Sequence, residues 1–243
     1  MHLATLANRP DLRAAHAAMD SAWPEFMRHS PVSALLDTAI DRFPEYQLML
    51  LEQETLIGYG HSVPFTWDGN PETLPDQGWD AIIGDALADA DEQRQPTAAT
   101  LLEIVVVPER QGEGLSTRLA TALRDHAAQA GLTDLVAPLR PSHKHLEPHT
   151  PMPDYVARRR PDGLPEDPWL RVHVRLGAQI LHTCPASMAI AGSLAQWREW
   201  TGLPFDRDGT VEVPGALAPV LVSTAQDHAV YVEPNVWIRH RLS

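Results

Sequence analysis

Leu101-Leu102-Glu103-Ile104-Val105-Val106-Val107-Pro108-Glu109-Arg110-Gln111-Gly112-Glu113-Gly114-Leu115-Ser116 decides how the rest of the chain is read. An apolar run stops at a proline, a loop with two glycines follows, and an amphipathic stretch begins at once. The helix predicted from Leu115 to about Gln129 sets Leu115, Leu119, Ala122, Leu123 and His126 along one stripe at three-to-four spacing. Strand, glycine loop and helix start aim backbone N–H groups and a positive dipole end at one point. That geometry holds an anion, most often a phosphate. No Lys-Ser/Thr pair follows the glycines, which argues against nucleoside triphosphate hydrolysis. Thr117 stands where the third glycine of a dinucleotide fingerprint would fall.

The segment Gln111-Gly112-Glu113-Gly114-Leu115-Ser116 resembles the Gln/Arg-x-x-Gly-x-Gly/Ala pyrophosphate loop of the GNAT acyltransferases, and a Val-x-Pro precedes it as in that family. Ser116 replaces the usual Gly or Ala, but it is small and able to cap the helix. The resemblance implies an α/β fold: a GNAT-like mixed, mostly antiparallel sheet flanked by helices, with a helical insertion and an extended C-terminal lobe. It implies acetyl-CoA or another acyl-CoA as cosubstrate. The backbone of Val105, Val106 and Val107 would pair with the pantetheine arm. Donors from Gln111, Gly112, Glu113, Gly114, Leu115 and Ser116 would meet the pyrophosphate, set in place before binding.

The bulk properties suit a cytoplasmic enzyme. The 243 residues can bury a substantial core, and no stretch approaches the ~20 apolar residues of a membrane span. Asn8, Arg9, Asp11 and Arg13 break any secretory signal pattern. Cys184 is alone, so neither an internal disulfide nor a cysteine zinc cluster can form. A formal charge of −13 argues against non-specific nucleic-acid binding. The run Arg158-Arg159-Arg160 reads as the solvated end of a helix.

Helices are predicted over Pro10–Ala18, Ala22–His29 and Asp37–Phe43, then strands over Tyr46–Glu52 and Thr55–Thr66. Gly58, Gly60 and Pro64 make the second strand irregular. Residues 68–99 are read as an insertion carrying a surface helix from Trp79 to Asp91, a candidate substrate lid. Past the loop and its helix come a strand over Leu132–Leu139 and a proline-rich stretch to Pro168. A helix over Trp169–Leu176, a strand over Gln179–Thr183, a helix over Ser193–Thr201 and strands near Leu217–Val222 and Val230–Arg239 complete the order. One elaborated domain over 1–243 accommodates it, with residues 141–243 as the C-terminal extension.

Acyl transfer to an amine needs a base for the amine and an acid for the departing thiolate. Arg171-Val172-His173-Val174-Arg175-Leu176-Gly177-Ala178 resembles the family's Tyr-x-x-x-Gly-Phe segment, with His173 at the tyrosine position and Ala178 replacing the aromatic. The resemblance makes His173 the candidate acid. Glu103 is the candidate base: in an extended strand it shares a face with Val105 and Val107, and burial would raise its pKa. Some members of the family use an acidic residue in this strand to draw a proton through water.

His143, His145, Glu147 and His149 lie in a proline-rich loop and match no zinc spacing, so no metal is assigned. Trp197 and Trp200 read as core or pocket wall. Asp162-Gly163-Leu164-Pro165, Asp167 to His173 and Gly202-Leu203-Pro204 resemble a large actinobacterial-type GNAT group, and also the GNAT-like domains of polyketide loading modules. The reading is an acyl-CoA-dependent N-acyltransferase, most simply an acetyltransferase acting on a small-molecule amine. The acidic balance favours a cationic substrate. The alternatives are a thioester enzyme (S-acyltransferase or malonyl-thioester decarboxylase, with an acyl-carrier protein as partner) and a non-catalytic acyl-CoA-binding module. No nucleic-acid or membrane partner is expected, and the sequence leaves acyl length and oligomeric state open.

Overall fold

Gly58 and Gly60, which make their strand look irregular on paper, are where the central helix is seated. The computed structural model describes residues 1–19 and 23–242. Its first half runs β1 (His2–Thr5), α1 (Leu12–Ala18), a 3₁₀ turn (Glu25–His29), α2 (Ser33–Arg42), β2 (Gln47–Glu52), β3 (Thr55–Phe65), α3 (Gly78–Asp91), β4 (Ala98–Val106), α4 (Leu115–Gln129) and β5 (Asp134–Leu139). The second half adds α5 (Met152–Ala157), α6 (Pro168–Arg175), β6 (Gln179–Gly192), α7 (Leu194–Thr201), β7 (Gly209–Val211), β8 (Val220–Ser223) and β9 (His228–Arg241).

The strands form one mixed sheet in the order β1-β2-β3-β4-β5-β9-β8-β7, with β6 pairing along the other edge of β9. All pairs are antiparallel except β4 with β5. Strands before and after Pro141 therefore share one sheet. No helix among the described residues is long and apolar enough to cross a membrane.

Register explains the layers. Gln47 opposes His61 and Met49 opposes Tyr59; across the next ladder His61 opposes Glu103 and Tyr59 opposes Val105. These residues share a face, and its apolar members pack with Leu12 of α1 and Ile40 of α2. Leu50, Gly58 and Val106 lie on the opposite face, where Leu50 and Val106 cluster with Leu115 and Leu119 of α4. A Cβ on Gly58 would lie 2.8 Å from the Val105 carbonyl, and one on Gly60 would lie 2.7 Å from Leu123 Cδ1. Helix α4 thus rests on bare backbone, which carries its N-terminus up to the end of β4.

The insertion departs from expectation. Its helix is more than a surface element: Asp85, Ala88 and Asp91 are exposed, but Trp79, Ile82, Ile83 and Ala86 are buried in the main core. Two of its aspartates, residues that in a sequence mark solvent, are consumed as backbone acceptors. Asp80 takes the Ala189 N–H at 2.9 Å and Asp89 takes the Thr66 N–H at 2.5 Å. Nor does the strand after α6 end at Thr183. It continues to Gly192 with one register break between Ile180 and Thr183 and a second, between Cys184 and Met188, that takes in Pro185, where a proline inside a strand is tolerated. The helix expected over Ala22–His29 is a 3₁₀ turn over Glu25–His29, and Ala22 lies outside the described residues.

Candidate active site

Strands β4 and β5 pair only through Ala98–Asp134, Ala99–Leu135 and Thr100–Val136, and then part. Just past the last pair, Leu102 is an extra residue in β4: His61 opposes Glu103, while Ser62 opposes Leu101. Such a bulge bends its strand and re-aims the neighbouring side chains. A cavity of ≈ 840 Å³ opens between the strands, walled by Leu101 to Ile104 on one side and Ala137 to Arg140 on the other. It runs from Gln111 and Ser116 at one end to Trp23, Glu233 and Asn235.

At the loop end, Gly112 and Gly114 adopt φ of 83° and 76°, a left-handed conformation open to glycine at little cost. Nothing lies within 4 Å of where their Cβ atoms would be, so the concave side of the loop is open. Gly114, not Ser116, is the N-cap of α4, and no side chain caps the first turn. The first N–H groups of a helix have no partner within it, and here they remain available to an anion. Arg110 braces the loop from outside, donating to Glu113 at 2.7 Å and to Glu52 at 2.7 Å. The side chains of Val105 and Leu115 are core, as are those of Val106 and Val107, so any contact these residues make with the cosubstrate is through backbone. Val107 packs on the α4 side, because the strand ends at Val106, and so it does not share the face of Glu103.

Glu103 lies on the cavity wall with only 13% of its side chain exposed. Trp23 Nε1–H donates to its Oε2 at 3.1 Å, the Tyr59 hydroxyl hydrogen-bonds to it, and His61 Nε2 lies 3.6 Å from Oε1. Burial pushes its pKa up to about 7, with the bonds from Trp23 and Tyr59 opposing.

Behind it runs a polar chain whose direction the partners fix. The Gln47 amide nitrogen donates to the Phe43 and Ser62 carbonyls, so its oxygen accepts from His61 Nδ1–H at 2.8 Å. His61 Nε2 then accepts from His16 Nε2–H at 2.8 Å, and His16 Nδ1 accepts from Arg13 at 3.2 Å. Burial holds both imidazoles neutral by pushing their pKa values down.

A second charged cluster occupies the far end. Strand β6 covers Glu233 and Asn235 along one edge of β9, but on the other edge, between the Leu139–Val236 and Leu221–Val230 pairs, no strand among the described residues covers them. The fully buried Glu233 accepts from Arg140 Nε at 3.0 Å and from the Tyr231 hydroxyl at 2.7 Å. Arg140 also donates through Nη2 to the Gly215 carbonyl at 2.5 Å and lies 5.6 Å from the centre of the Trp23 ring.

His173 is placed elsewhere. It is fully buried and does not line the cavity, although its helix neighbours Trp169 and Val172 do. Its Nδ1 lies 3.0 Å from His240 Nε2, and its ring meets Trp169 edge-on. Burial pushes its pKa down to about 3, so the imidazole is uncharged at neutral pH. In the histidine loop, His145 reaches the cavity, His149 meets Glu212 at 2.7 Å, and Glu147 accepts from Arg158 at 2.7 Å. Lys144 is buried with its ammonium on the carbonyls of Glu147, Pro148 and Leu217. The sequence brought out Glu103 and the loop and suggested that the strand from Glu233 returns to the active-site edge, but it gave no role to Trp23, His61, Arg140 or Glu233. They come from distant segments with no spacing to link them; the one available signal was polar side chains inside otherwise apolar strands.

A splayed parallel strand pair, an uncapped helix start after a glycine loop, and a buried carboxylate on the joining cavity define an acyl-CoA-dependent acyltransferase. Residues 13–145 match the acetyltransferase (GNAT) family, and the chain belongs to it. It is 35% identical over 271 aligned positions to an arginine N-acetyltransferase of Aspergillus versicolor, covering 98% of this chain and 93% of that protein. Among solved structures it resembles the loading GNAT-like domain of CurA from Lyngbya majuscula (TM-score 0.66, 20% identity, 99% and 96% of the two chains covered). It also resembles the GphF GNAT-like decarboxylase in complex with isobutyryl-CoA (TM-score 0.62, 19% identity, both chains covered in full). Those two likenesses show the fold.

Proposed function

We propose that this protein transfers an acetyl group from acetyl-CoA to an amine of a small molecule, with arginine the first acceptor to test. The kinship to an arginine N-acetyltransferase over nearly the whole chain supports the substrate class. The observation that carries the mechanism is Glu103, a carboxylate with its pKa pushed to about 7 on the wall of the cavity between the splayed strands.

When bound, acetyl-CoA supplies the activated acyl carbon and a thiolate leaving group. The open loop from Gln111 to Ser116 and the uncapped first turn of α4 fit its pyrophosphate. The β4 backbone facing the splay offers hydrogen-bonding groups to its arm. Glu103 takes the proton of the incoming ammonium, directly or through water, and a base with its pKa near the working pH is the effective one. Trp23 and Tyr59 hold the carboxylate in position. Trp79 and Trp169 supply apolar wall that keeps bulk water from the site.

Release of free CoA from acetyl-CoA, followed with L-arginine and other amines, tests this. Release that depends on the amine, with an N-acetylated product by mass spectrometry, is expected. Carbon dioxide from malonyl-CoA, or acylation of a carrier-protein thiol in place of any amine, would refute it.

A further inference from the structure

Arg140 and Glu233 make a buried ion pair in the wall of the cavity, used neither by the base nor by the loop. Such pairs are expensive to desolvate and contribute little to stability for their cost, so one lining a cavity invites a functional reading. The guanidinium has five N–H donors. Nε is spent on Glu233 and Nη2 on Gly215, and the Tyr231 hydroxyl also lies within reach of the guanidinium, whereas no direct bond is formed by Nη1 among the described residues. Nor is Nη1 one of the buried atoms left without a partner, so it reaches the open space of the cavity. Glu233, Gly215 and the Trp23 ring hold this donor edge in one orientation.

Resting on the acyl-transfer reading above, we infer that Arg140 determines acceptor specificity: its unspent guanidinium edge binds a carboxylate of the acceptor. The preferred substrate is then an amine that also carries a carboxylate, an α-amino acid being the simplest case. Trp23 is the ruler. The same indole donates to Glu103 at 3.1 Å and lies 5.6 Å from the Arg140 guanidinium. The two charged groups are therefore at most roughly 12 Å apart. An α-amino acid hydrogen-bonded at both ends spans about 9 Å, and one water beside Glu103 closes the difference. The planar fork of Arg140 suits a carboxylate, and in a cavity such charge-assisted bonds are strong. An amine lacking the carboxylate would leave those donors unpaired.

The test compares kcat/KM for matched pairs, L-arginine against agmatine and L-lysine against cadaverine, with saturating acetyl-CoA. The wild-type protein is expected to favour the carboxylated member by ~100-fold. In R140Q/E233Q, which removes both charges together so that neither is left buried alone, kcat/KM should fall ~100-fold for the amino acids, mainly through KM. The decarboxylated amines should stay within about threefold. R140K keeps the charge without the fork, should fall between, and serves if the double variant does not fold. Equal use of both members by the wild type would overturn the inference while leaving the acyl-transfer reading intact. So would equal losses for both in a folded variant, or loss of discrimination in R28Q instead, Arg28 being another cation on the wall. Failure to acetylate any amine would overturn both.

Discussion

The indole N–H of Trp23 stands 3.1 Å from Oε2 of Glu103, joining the segment just ahead of the 3₁₀ turn Glu25–His29 to the bulged strand β4 across 80 residues of sequence. This bond anchors the proposed base where the splay begins. It also favours the charged carboxylate against the burial that raises its pKa.

Activity should follow the ionisation of Glu103. With a pKa of about 7, kcat/KM is expected to rise as pH increases through that value. E103Q should lose ~10²–10³-fold in turnover and the ascending limb with it. Stability runs the other way. A carboxyl whose folded pKa exceeds its unfolded value binds more protons when folded, so its contribution falls as pH rises through 7. E103Q should therefore melt higher than wild type at pH 8 and close to it at pH 5, by calorimetry.

Trp23→Phe keeps most of the ring and deletes the donor. The Glu103 carboxylate loses a bond that stabilises its charged form, so the midpoint of the pH–rate profile should move upward by about one unit. At pH 7 kcat/KM should then fall several-fold and recover at higher pH; an unmoved midpoint would contradict the role given to this bond.

Gly114→Ala places a Cβ on a residue with φ of 76° in open space, so the cost is backbone strain of ~1–2 kcal/mol without collision. Relieving the strain displaces the first turn of α4. The KM for acetyl-CoA, and CoA affinity by calorimetric titration, should weaken about tenfold while kcat changes little. Unaltered affinity in the folded variant would move the pyrophosphate elsewhere.

His173→Ala distinguishes a buried packing residue from a proton donor. Loss of its contacts with Trp169 and His240 should lower stability by ~2–4 kcal/mol and leave kcat of the folded protein within about threefold. A drop in kcat of ~100-fold at unchanged CoA affinity would restore the role of acid at the departing sulfur.

Local signals carried much of the fold. The α4 boundaries agree with the stripe read from the sequence, and the hairpin of β2 and β3 turns at Gln53 and Glu54, the two residues left between the predicted strands. Where reading failed, tertiary contacts had changed the meaning of a residue. Asp80 and Asp89 look like solvent markers until backbone N–H groups from other elements are brought to them. Pro185 looks like a strand end until β9 supplies a partner long enough to bridge the bulge. Strand β1, short and without a distinctive pattern, is held by its pairing with β2.

By itself the sequence determined the glycine loop, the helix that follows it and the apolar strand that delivers Glu103. Each depends on residues within about one turn or one strand of each other. Only the tertiary structure decided that β4 and β5 part after three pairs, and that Trp23 and Arg140 meet across the gap. It also turned the ring of His173 toward His240 and away from the cavity. Those outcomes depend on strand register and on burial by distant segments. A side chain's proton affinity and the direction it faces are properties of the neighbours that folding brings to it.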